Sequence, residues 1–187
     1  MDRGFHPGPI SVNVSARQLR EASFAEEVFD ILQRHGIHTG YLQLEITETT
    51  VAKNRDTAIA ILHRMRQTGV QIAIDDFGTG YSSLSYLQQL PFDHIKIDKS
   101  FIDMIGTEGN SESICRTIVT MAHEMGKKAT AEGVETIEQA DFLRKIRCDS
   151  VQGYFYSKPL PQKKFLQFVE QQDFHTQRRK ALEIIGA

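Results

Sequence analysis

The sequence predicts an α/β fold built as an incomplete, TIM-like (β/α) barrel of about six βα units. Six short apolar strand patterns alternate with helical patterns, and each connection is long enough for a right-handed crossover between parallel strands. Polar residues recur at the carboxyl ends of the strands, which favours a barrel because a doubly wound sheet draws its site from two or three strands. A complete barrel typically needs about 250 residues, and this chain has 187.

The first half of the chain supplies three of the strands. A Gly/Pro segment leads into a short alternating strand, Ile10–Ser15. Ser23 and Gly36 are typical of the start and the end of a helix, and apolar residues at helical spacing lie between them. The same alternation then predicts strand Leu42–Ile46, a helix from about Arg55 to Gln67 that stops before Gly69, and strand Val70–Asp75.

The second half continues the pattern after a Gly-rich loop. Apolar spacing and glycine stops predict three further strands and five helical stretches. In chain order these are a short helix through Tyr86 and Leu87, strand His94–Asp98, helix Ser111–Met125, strand Lys128–Ala131, helix Ile137–Ile146, strand Ser150–Gln152, helix Gln162–Gln171 and a partly charged helix Thr176–Ile185.

Composition excludes several classes of function. The net charge is −2 and the basic residues are spread along the chain, which argues against a nucleic-acid polymer as partner. The two cysteines, Cys115 and Cys148, lack metal-ligand spacing, so we expect them to be reduced and the protein to be cytoplasmic. No run approaches the 18 or so apolar residues of a membrane-spanning helix. The length and the 40% share of hydrophobic residues predict one domain.

Two adjacent carboxylates, Asp75 and Asp76, stand where the third strand runs into the Gly-rich loop. Paired carboxylates repel each other and are costly to desolvate unless a cation or hydrogen-bond donors hold them. Hard divalent cations such as Mg²⁺ or Mn²⁺ prefer oxygen ligands, and neighbouring aspartates can share one metal or bridge two. The alternative is that Asp75 caps the following turn while Asp76 is solvated.

Six sequence blocks carry a resemblance to a known family. They are Val12-Asn13-Val14-Ser15, Leu44-Glu45-Ile46-Thr47-Glu48, Asp75-Asp76-Phe77-Gly78-Thr79-Gly80-Tyr81-Ser82, Ile95-Lys96-Ile97-Asp98, Ala131-Glu132-Gly133-Val134-Glu135, and Gln152-Gly153-Tyr154 followed by Ser157-Lys158-Pro159. With these blocks the sequence resembles the EAL family, bacterial phosphodiesterases that hydrolyse cyclic di-GMP to the linear dinucleotide 5′-pGpG. The resemblance implies a modified barrel, its first strand antiparallel to the others, with the ligand at the carboxyl ends of the strands.

The motif that names the family, Glu-Ala-Leu on an upstream strand, is absent from this chain. The resemblance implies that residues 1–187 form a partial EAL domain containing the third to eighth barrel strands and the C-terminal helices. We therefore expect this chain alone to be a weak or inactive phosphodiesterase. The alternative is a non-catalytic cyclic di-GMP receptor or protein-interaction module.

The resemblance also implies the roles of individual residues. Asn13, Glu45 and Asp75 would bind one Mg²⁺ or Mn²⁺ ion together with an upstream Glu, and Asp75, Asp76 and Glu132 would bind a second. Asp76, Lys96 and Glu132 would be catalytic. Lys96 would donate a hydrogen bond to the attacking water or to a phosphate oxygen. Its alternative role is a structural ion pair with Asp98. Glu132 could instead be a general base, although metal coordination would lower its basicity.

Three further residues are implied to act around this centre. Glu135 would orient Lys96 or a water, and Gln152 would fix a metal-bound water or the substrate. Glu48 resembles the residue that anchors the loop from Phe77 to Ser83 and links dimerisation to metal binding. Its alternative role is a charge at the start of a helix.

An incomplete barrel has consequences for assembly. The edges at Ile10–Val14 and Ser150–Gln152 would lack strand partners, and we expect the apolar barrel interior to be exposed. We therefore expect a homo-oligomer, or a longer parent protein that carries an upstream sensory or GGDEF-type domain and the missing strands.

Overall fold

A six-stranded parallel sheet forms the centre of the computed structural model, which describes residues 8–52, 55–78, 87–107 and 110–170. The strand order follows the chain order, and all five pairings are parallel. The strands are β1 Ile10–Asn13, β2 Leu42–Thr47, β3 Gln71–Phe77, β4 His94–Ile97, β5 Lys128–Glu132 and β6 Ser150–Gln152. The sheet is curled into an incomplete barrel, which confirms the predicted fold class.

Helices connect the strands within the described ranges. They are α1 Phe24–Arg34, α2 Glu48–Ala52, α3 Arg55–Gln67, α4 Lys99–Ile102, α5 Ser111–Glu124, α6 Ile137–Lys145 and α7, residues 162–170. The predicted bounds of α3 agree with the structure, whereas the short helices α2 and α4 were not predicted. The predicted helix at Thr176–Ile185 lies outside the described residues, as does most of the stretch leading to Leu87.

The convex face of the sheet is apolar and lies under the helices. Ile72, Ile74, Ile95 and Ile97 of the two central strands have no exposed surface. Helices α3 and α5 contribute buried side chains such as Met65 to the same core. Burial of each large aliphatic side chain contributes roughly 1.5–3 kcal/mol, so this interface between sheet and helices holds the barrel wall together.

The concave face of the sheet is polar, contrary to the apolar interior expected from the sequence. Its side chains bond across the strands, with Ser11 donating to Gln43 at 2.9 Å and His94 lying 3.1 Å from Gln71. The apolar residues of each strand point to the opposite, convex face, because side chains alternate along a strand. The open sheet therefore exposes hydrogen-bonding groups on this face, and its exposed apolar surface lies elsewhere.

That exposed apolar surface lies at the two edge strands. Ile10 and Val12 of β1 are 69% and 46% exposed, and Val12 lines a groove of about 390 Å³ against α1. Near the other edge, Tyr154 and Phe165 are 57% and 50% exposed. Each edge strand pairs with one neighbour among the described residues. No helix in the described ranges is both long enough and apolar enough to span a bilayer.

Candidate functional site

Four side chains from four different strands meet at the carboxyl end of the sheet. The ammonium of Lys96 on β4 lies 2.7 Å from Glu45 on β2, 3.0 Å from Asp75 on β3 and 2.6 Å from Glu132 on β5. Strands two apart in a flat sheet lie about 9.6 Å from each other, so the contact from β4 to β2 depends on the curl. This acidic cluster, Glu45, Asp75, Glu132 and Lys96, is the candidate active site.

The acidic cluster is buried and carries excess negative charge. Lys96 and Glu45 are 5% and 6% exposed, and three carboxylates face one ammonium. Burial by itself would lower the pKa of Lys96, but hydrogen bonds to Glu132, Glu45 and Asp75 outweigh it and raise the pKa above its ordinary range. Burial raises the pKa of Glu132, against the opposing effect of Lys96. The cluster therefore keeps its lysine charged and favours additional positive charge.

Asp76 reaches the same edge of the sheet through a β-bulge. Ile74 pairs with Ile95 and Phe77 pairs with Ile97, so two residues of β3, Asp75 and Asp76, stand opposite one residue of β4. Asp76 has φ of 52°, a left-handed conformation that aspartate tolerates better than most residues. Burial raises the pKa of Asp76, and the charge of Asp75 adds to the effect. The bulge thus places consecutive carboxylates at the rim.

The alternative assignments for the aspartates are resolved in part. Asp75 accepts a hydrogen bond from the adjacent N–H of Asp76 at 3.1 Å, whereas a turn cap accepts from the N–H two residues on. Its carboxylate also binds Lys96. Asp98 accepts from the N–H of Ser100 at 3.0 Å and caps α4. Within the described residues, Asp98 is not among the ion-pair partners of Lys96. The structural ion pair considered for Lys96 and Asp98 is therefore wrong.

Asn13 and Gln152 lie at the ends of the two edge strands. Asn13 pairs in register with Glu45, and Gln152 pairs in register with Glu132. Both are exposed, and the backbone carbonyl of Gln152 accepts from the N–H of Val134 at 3.0 Å. The sheet therefore brings both residues to the rim of the acidic cluster, one on each open side.

Glu135 and Glu48 lie beside the acidic cluster. Glu135 forms an ion pair with Lys99 of α4, and it is not among the ion-pair partners of Lys96 in the described ranges. Glu48 is the first residue of α2, as its alternative assignment expected, and its buried Oε1 has no hydrogen-bond partner among the described residues. Residues 79–86, which contain most of the loop that Glu48 was expected to anchor, lie outside the described part of the chain.

Two residues near the rim were missed by the sequence reasoning. Lys99 binds Glu135 from α4, and the buried amide of Gln139 binds the segment between β5 and α6. The Thr-x-x-Gln pattern formed by Thr136 and Gln139 is a capping-box signature and could have drawn attention to Gln139. No sequence signal pointed to Lys99.

The donor set at the rim fits a hard divalent cation. Carboxylate and amide oxygens are the ligands that Mg²⁺, Mn²⁺ and Ca²⁺ prefer, and the three carboxylates already converge on a cationic nitrogen. In the described ranges no three acidic, histidine or cysteine side chains are arranged as a ready metal site. The oxygens are instead spaced around the ammonium of Lys96, which a bound metal would have to replace in part.

An open parallel (β/α) barrel with an acidic cluster at its carboxyl rim defines the class of protein. The model of the EAL domain matches residues 1–159. The chain belongs to the EAL domain family. The resemblance found in the sequence is thereby confirmed.

Comparison with individual proteins adds detail. The cyclic di-GMP phosphodiesterase NbdA of Pseudomonas aeruginosa is 45% identical over 152 residues, which make up 81% of this chain and 19% of NbdA. The structure of the PaMucR phosphodiesterase in complex with c-di-GMP has a TM-score of 0.82 at 39% identity, over 88% of this chain and 66% of that one. The Klebsiella pneumoniae BlrP1 complex with manganese and cyclic di-GMP has a TM-score of 0.74 at 30% identity, over 81% and 39%.

Proposed function

We propose that this chain forms part of the catalytic domain of a divalent-metal-dependent phosphodiesterase that hydrolyses cyclic di-GMP to linear 5′-pGpG. The observation that carries the proposal is the acidic cluster, in which Lys96 is buried among Glu45, Asp75 and Glu132 at the rim of the curled sheet. Membership of the EAL family and the names of the relatives NbdA and PaMucR support cyclic di-GMP as the substrate.

Charge supports the need for a metal. A phosphodiester is anionic, and the acidic cluster has more negative than positive charge, so substrate binding there requires added cations. The relative BlrP1 was solved with cyclic di-GMP and either manganese or calcium, which supports a divalent cation, and we propose Mn²⁺ or Mg²⁺. Asn13, Glu45 and Asp75 would hold one ion and Asp75, Asp76 and Glu132 a second. When bound, such ions supply an acidified water and neutralise charge that develops on phosphorus.

Residues of this chain would contact the attacking water and the substrate during hydrolysis. The oxygen of the attacking water forms a bond to phosphorus, and the bond from phosphorus to the 3′ oxygen breaks, which leaves a 5′-phosphate and a free 3′-hydroxyl. Lys96, held in its charged form, would donate a hydrogen bond to the attacking water or to a phosphate oxygen. Gln152, exposed at the rim, would orient the substrate, and Glu135 would reach the site only after release from Lys99.

A hydrolysis assay tests this function. Incubation of the chain with cyclic di-GMP and Mn²⁺ should yield 5′-pGpG, identified by its mass, and EDTA should stop its formation. We expect a slow reaction, because Asn13 lies on an open edge strand and the Glu-Ala-Leu sequence is absent from the chain. Product formation that EDTA does not affect would refute the metal dependence.

The receptor alternative keeps support from one observation. Lys96 is fully engaged by three carboxylates in the structure, an arrangement that could hold the site together without turnover. Binding of cyclic di-GMP in calorimetry with no 5′-pGpG at any metal concentration would favour a non-catalytic receptor over an enzyme.

We also propose that the open edges are covered in the functional protein. The apolar groove beside β1 is lined by side chains such as Phe24, Val28 and Leu42, and it continues the exposed surface of Ile10 and Val12. A second copy of the chain or upstream strands of a longer parent, which could also carry a sensory or GGDEF-type domain, would bury this surface.

The free thiols of Cys115 and Cys148 fit a reducing cytoplasmic location.

A further inference from the structure

The short helix α4 contacts two glycines at the rim, one directly after β3 and one directly after β5. Phe101 of α4 packs over Gly78, where φ is 100° and an added Cβ would lie 2.8 Å from the Phe101 ring. The stem of Lys99 packs over Gly133, where φ is 73° and an added Cβ would overlap the lysine stem. Gly78, directly after β3, and Gly133, directly after β5, therefore both lie against α4, and α4 itself directly follows Asp98.

The amide of Gln139 joins α4 to the segment after β5. Its Oε1 accepts from the backbone N–H of Glu135 at 2.7 Å and of Thr136 at 3.1 Å. Its Nε2 donates to the backbone carbonyl of Ile102, at the end of α4, at 3.1 Å. Gln139 is 6% exposed, so these bonds are shielded from water and fix the side chain in place.

Only part of this arrangement is needed to cap α6. In the capping box, the hydroxyl of Thr136 accepts from the N–H of Gln139 at 3.3 Å, and Gln139 accepts from the N–H of Thr136. The bonds from Glu135 and to Ile102 lie outside that motif. Their effect is to fix the distance between the segment that follows Glu132 and the helix that follows Lys96.

We propose that Gln139 is a positioning residue that sets the spacing of Glu132 and Lys96 in the active site. Gln139 holds Glu135, three residues after Glu132, and Ile102, the last residue of the short helix that begins three residues after Lys96. A rigid link between these two segments therefore constrains both rim side chains. The inference rests on the proposed function in so far as Glu132 and Lys96 belong to a metal-dependent site. The link itself is a feature of the fold and can be tested without catalysis.

Two substitutions separate positioning from helix capping. Gln139→Met keeps the volume but removes the bonds to Glu135, Thr136 and Ile102. Thr136→Val removes the other half of the capping box and leaves the link to Ile102 intact, so it serves as the matched control. If Gln139→Met does not fold, Gln139→Glu keeps the Oε1 acceptor and the shape and replaces the donor to Ile102 with a carboxylate oxygen, which repels the Ile102 carbonyl.

Two measurements on the full chain test whether Gln139 positions Lys96 and Glu132. The first is the ¹⁵N signal of the Lys96 side-chain ammonium, which burial and three carboxylates should make visible by NMR. The second is Mn²⁺ affinity, measured by water proton relaxation. We expect Gln139→Met to shift or broaden the ammonium signal and to weaken Mn²⁺ binding at least five-fold, whereas Thr136→Val lowers the Tm and changes neither.

The results also separate this inference from the proposed function. If both variants give the same ammonium signal and the same Mn²⁺ affinity as the unmodified chain, Gln139 has no positioning role. If the unmodified chain binds no Mn²⁺, the proposed metal site is refuted, and the ammonium signal alone then decides whether Gln139 sets the spacing of Lys96 and Glu132.

Discussion

The ammonium of Lys96 lies 2.6 Å from a carboxylate oxygen of Glu132 on the neighbouring strand, and Lys96 also contacts carboxylates of the two preceding strands. One buried cation thus organises side chains from four strands. This relationship makes the charge balance of the site the feature that substitution should reveal most directly.

Removal of a carboxylate from the proposed metal site should strongly reduce catalysis. We expect Asp76→Ala and Glu132→Ala to lower Mn²⁺-dependent hydrolysis of cyclic di-GMP by at least on the order of 100-fold, because each would lose a ligand of the proposed metal that activates water. Rates are to be measured in the form of the protein that shows turnover. Glu112→Gln, an exposed change on α5, is the control. Undiminished turnover in either Ala variant would refute the metal assignment.

Replacement of the central lysine should expose competition between two cations. Lys96→Met leaves three carboxylates without their ammonium, so we expect the free energy of unfolding to fall by about 3 kcal/mol in EDTA. Added Mn²⁺ should restore most of that loss and should bind the variant more tightly than the unmodified chain, while hydrolysis is lost. Denaturant unfolding with and without Mn²⁺ measures both effects.

The matched control for this experiment is Lys99→Met. Lys99 forms its ion pair with Glu135 at the surface, with about half of each side chain exposed, and pairs of this kind contribute at most about 1 kcal/mol. Equal destabilisation of the Lys96 and Lys99 variants, with no response to Mn²⁺, would show that the acidic cluster does not select a cation.

Glu48 should affect turnover more than binding. Its carboxylate lies partly buried at the start of α2, beside the end of β2. We expect Glu48→Ala to reduce hydrolysis while cyclic di-GMP still binds, because Glu48 would act through the loop from Phe77 to Ser83. Calorimetry and product formation are to be compared in the same preparation. A parallel loss of binding and hydrolysis would instead place Glu48 in direct contact with the ligand or metal.

The edge strands should determine the assembly state of the 187-residue chain. We expect sedimentation to show a dimer or larger species, because Ile10 and Val12 continue an apolar groove on an unpaired strand. Val12→Lys should shift the equilibrium towards monomer, and Lys163→Glu on α7 is a charge-changing control away from β1. A stable monomer with full turnover would show that neither oligomerisation nor further strands are required.

Low pH should lower the free energy of unfolding through protonation of Asp149. Burial tends to raise the pKa of Asp149, but hydrogen bonds from the N–H of Ala129 and from His123 outweigh it and lower the pKa. A carboxyl with a lowered pKa stabilises the fold above its unfolded pKa of about 3.9, and the contribution disappears as the pH falls through the folded value. Asp149→Asn should therefore cost about 1 kcal/mol near pH 7 and progressively less below pH 4.

Unfolding curves at several pH values check this dependence. Asp141→Asn is the control, since Asp141 pairs with Arg144 on the exposed face of one helix. If Asp149→Asn lowered the free energy of unfolding by the same amount at every pH, the charge of the carboxylate would not contribute to stability.

Much of the fold followed from local pattern. Arg55 to Gln67 had clear helical spacing and a glycine stop, and its helix has the predicted bounds. The gathering of Glu45, Asp75, Lys96 and Glu132 followed from parallel strands that end at one edge. The bulge at Asp76 could not be predicted, since the extra residue is detectable only against the register of the adjacent strand.

Long-range side-chain partners were less accessible to sequence reasoning. Glu135 was assigned to Lys96 or a water, but Lys99 of the unpredicted helix α4 binds it. The interior was expected to be apolar because complete barrels are filled by branched side chains. Here Ser11, Gln43 and His94 bond across strands instead, and such pairings depend on register.

The left-handed backbone at Asp76 restricts how this site can change in evolution. Glycine and asparagine accept that conformation, whereas alanine or a β-branched residue would strain the bulge. A lineage that abandons hydrolysis can therefore neutralise this carboxylate by a change to asparagine or glycine with little loss of fold. Relatives that act only as receptors should carry asparagine or glycine at this position more often than alanine. The residue at this one position would therefore indicate whether a relative has lost hydrolysis.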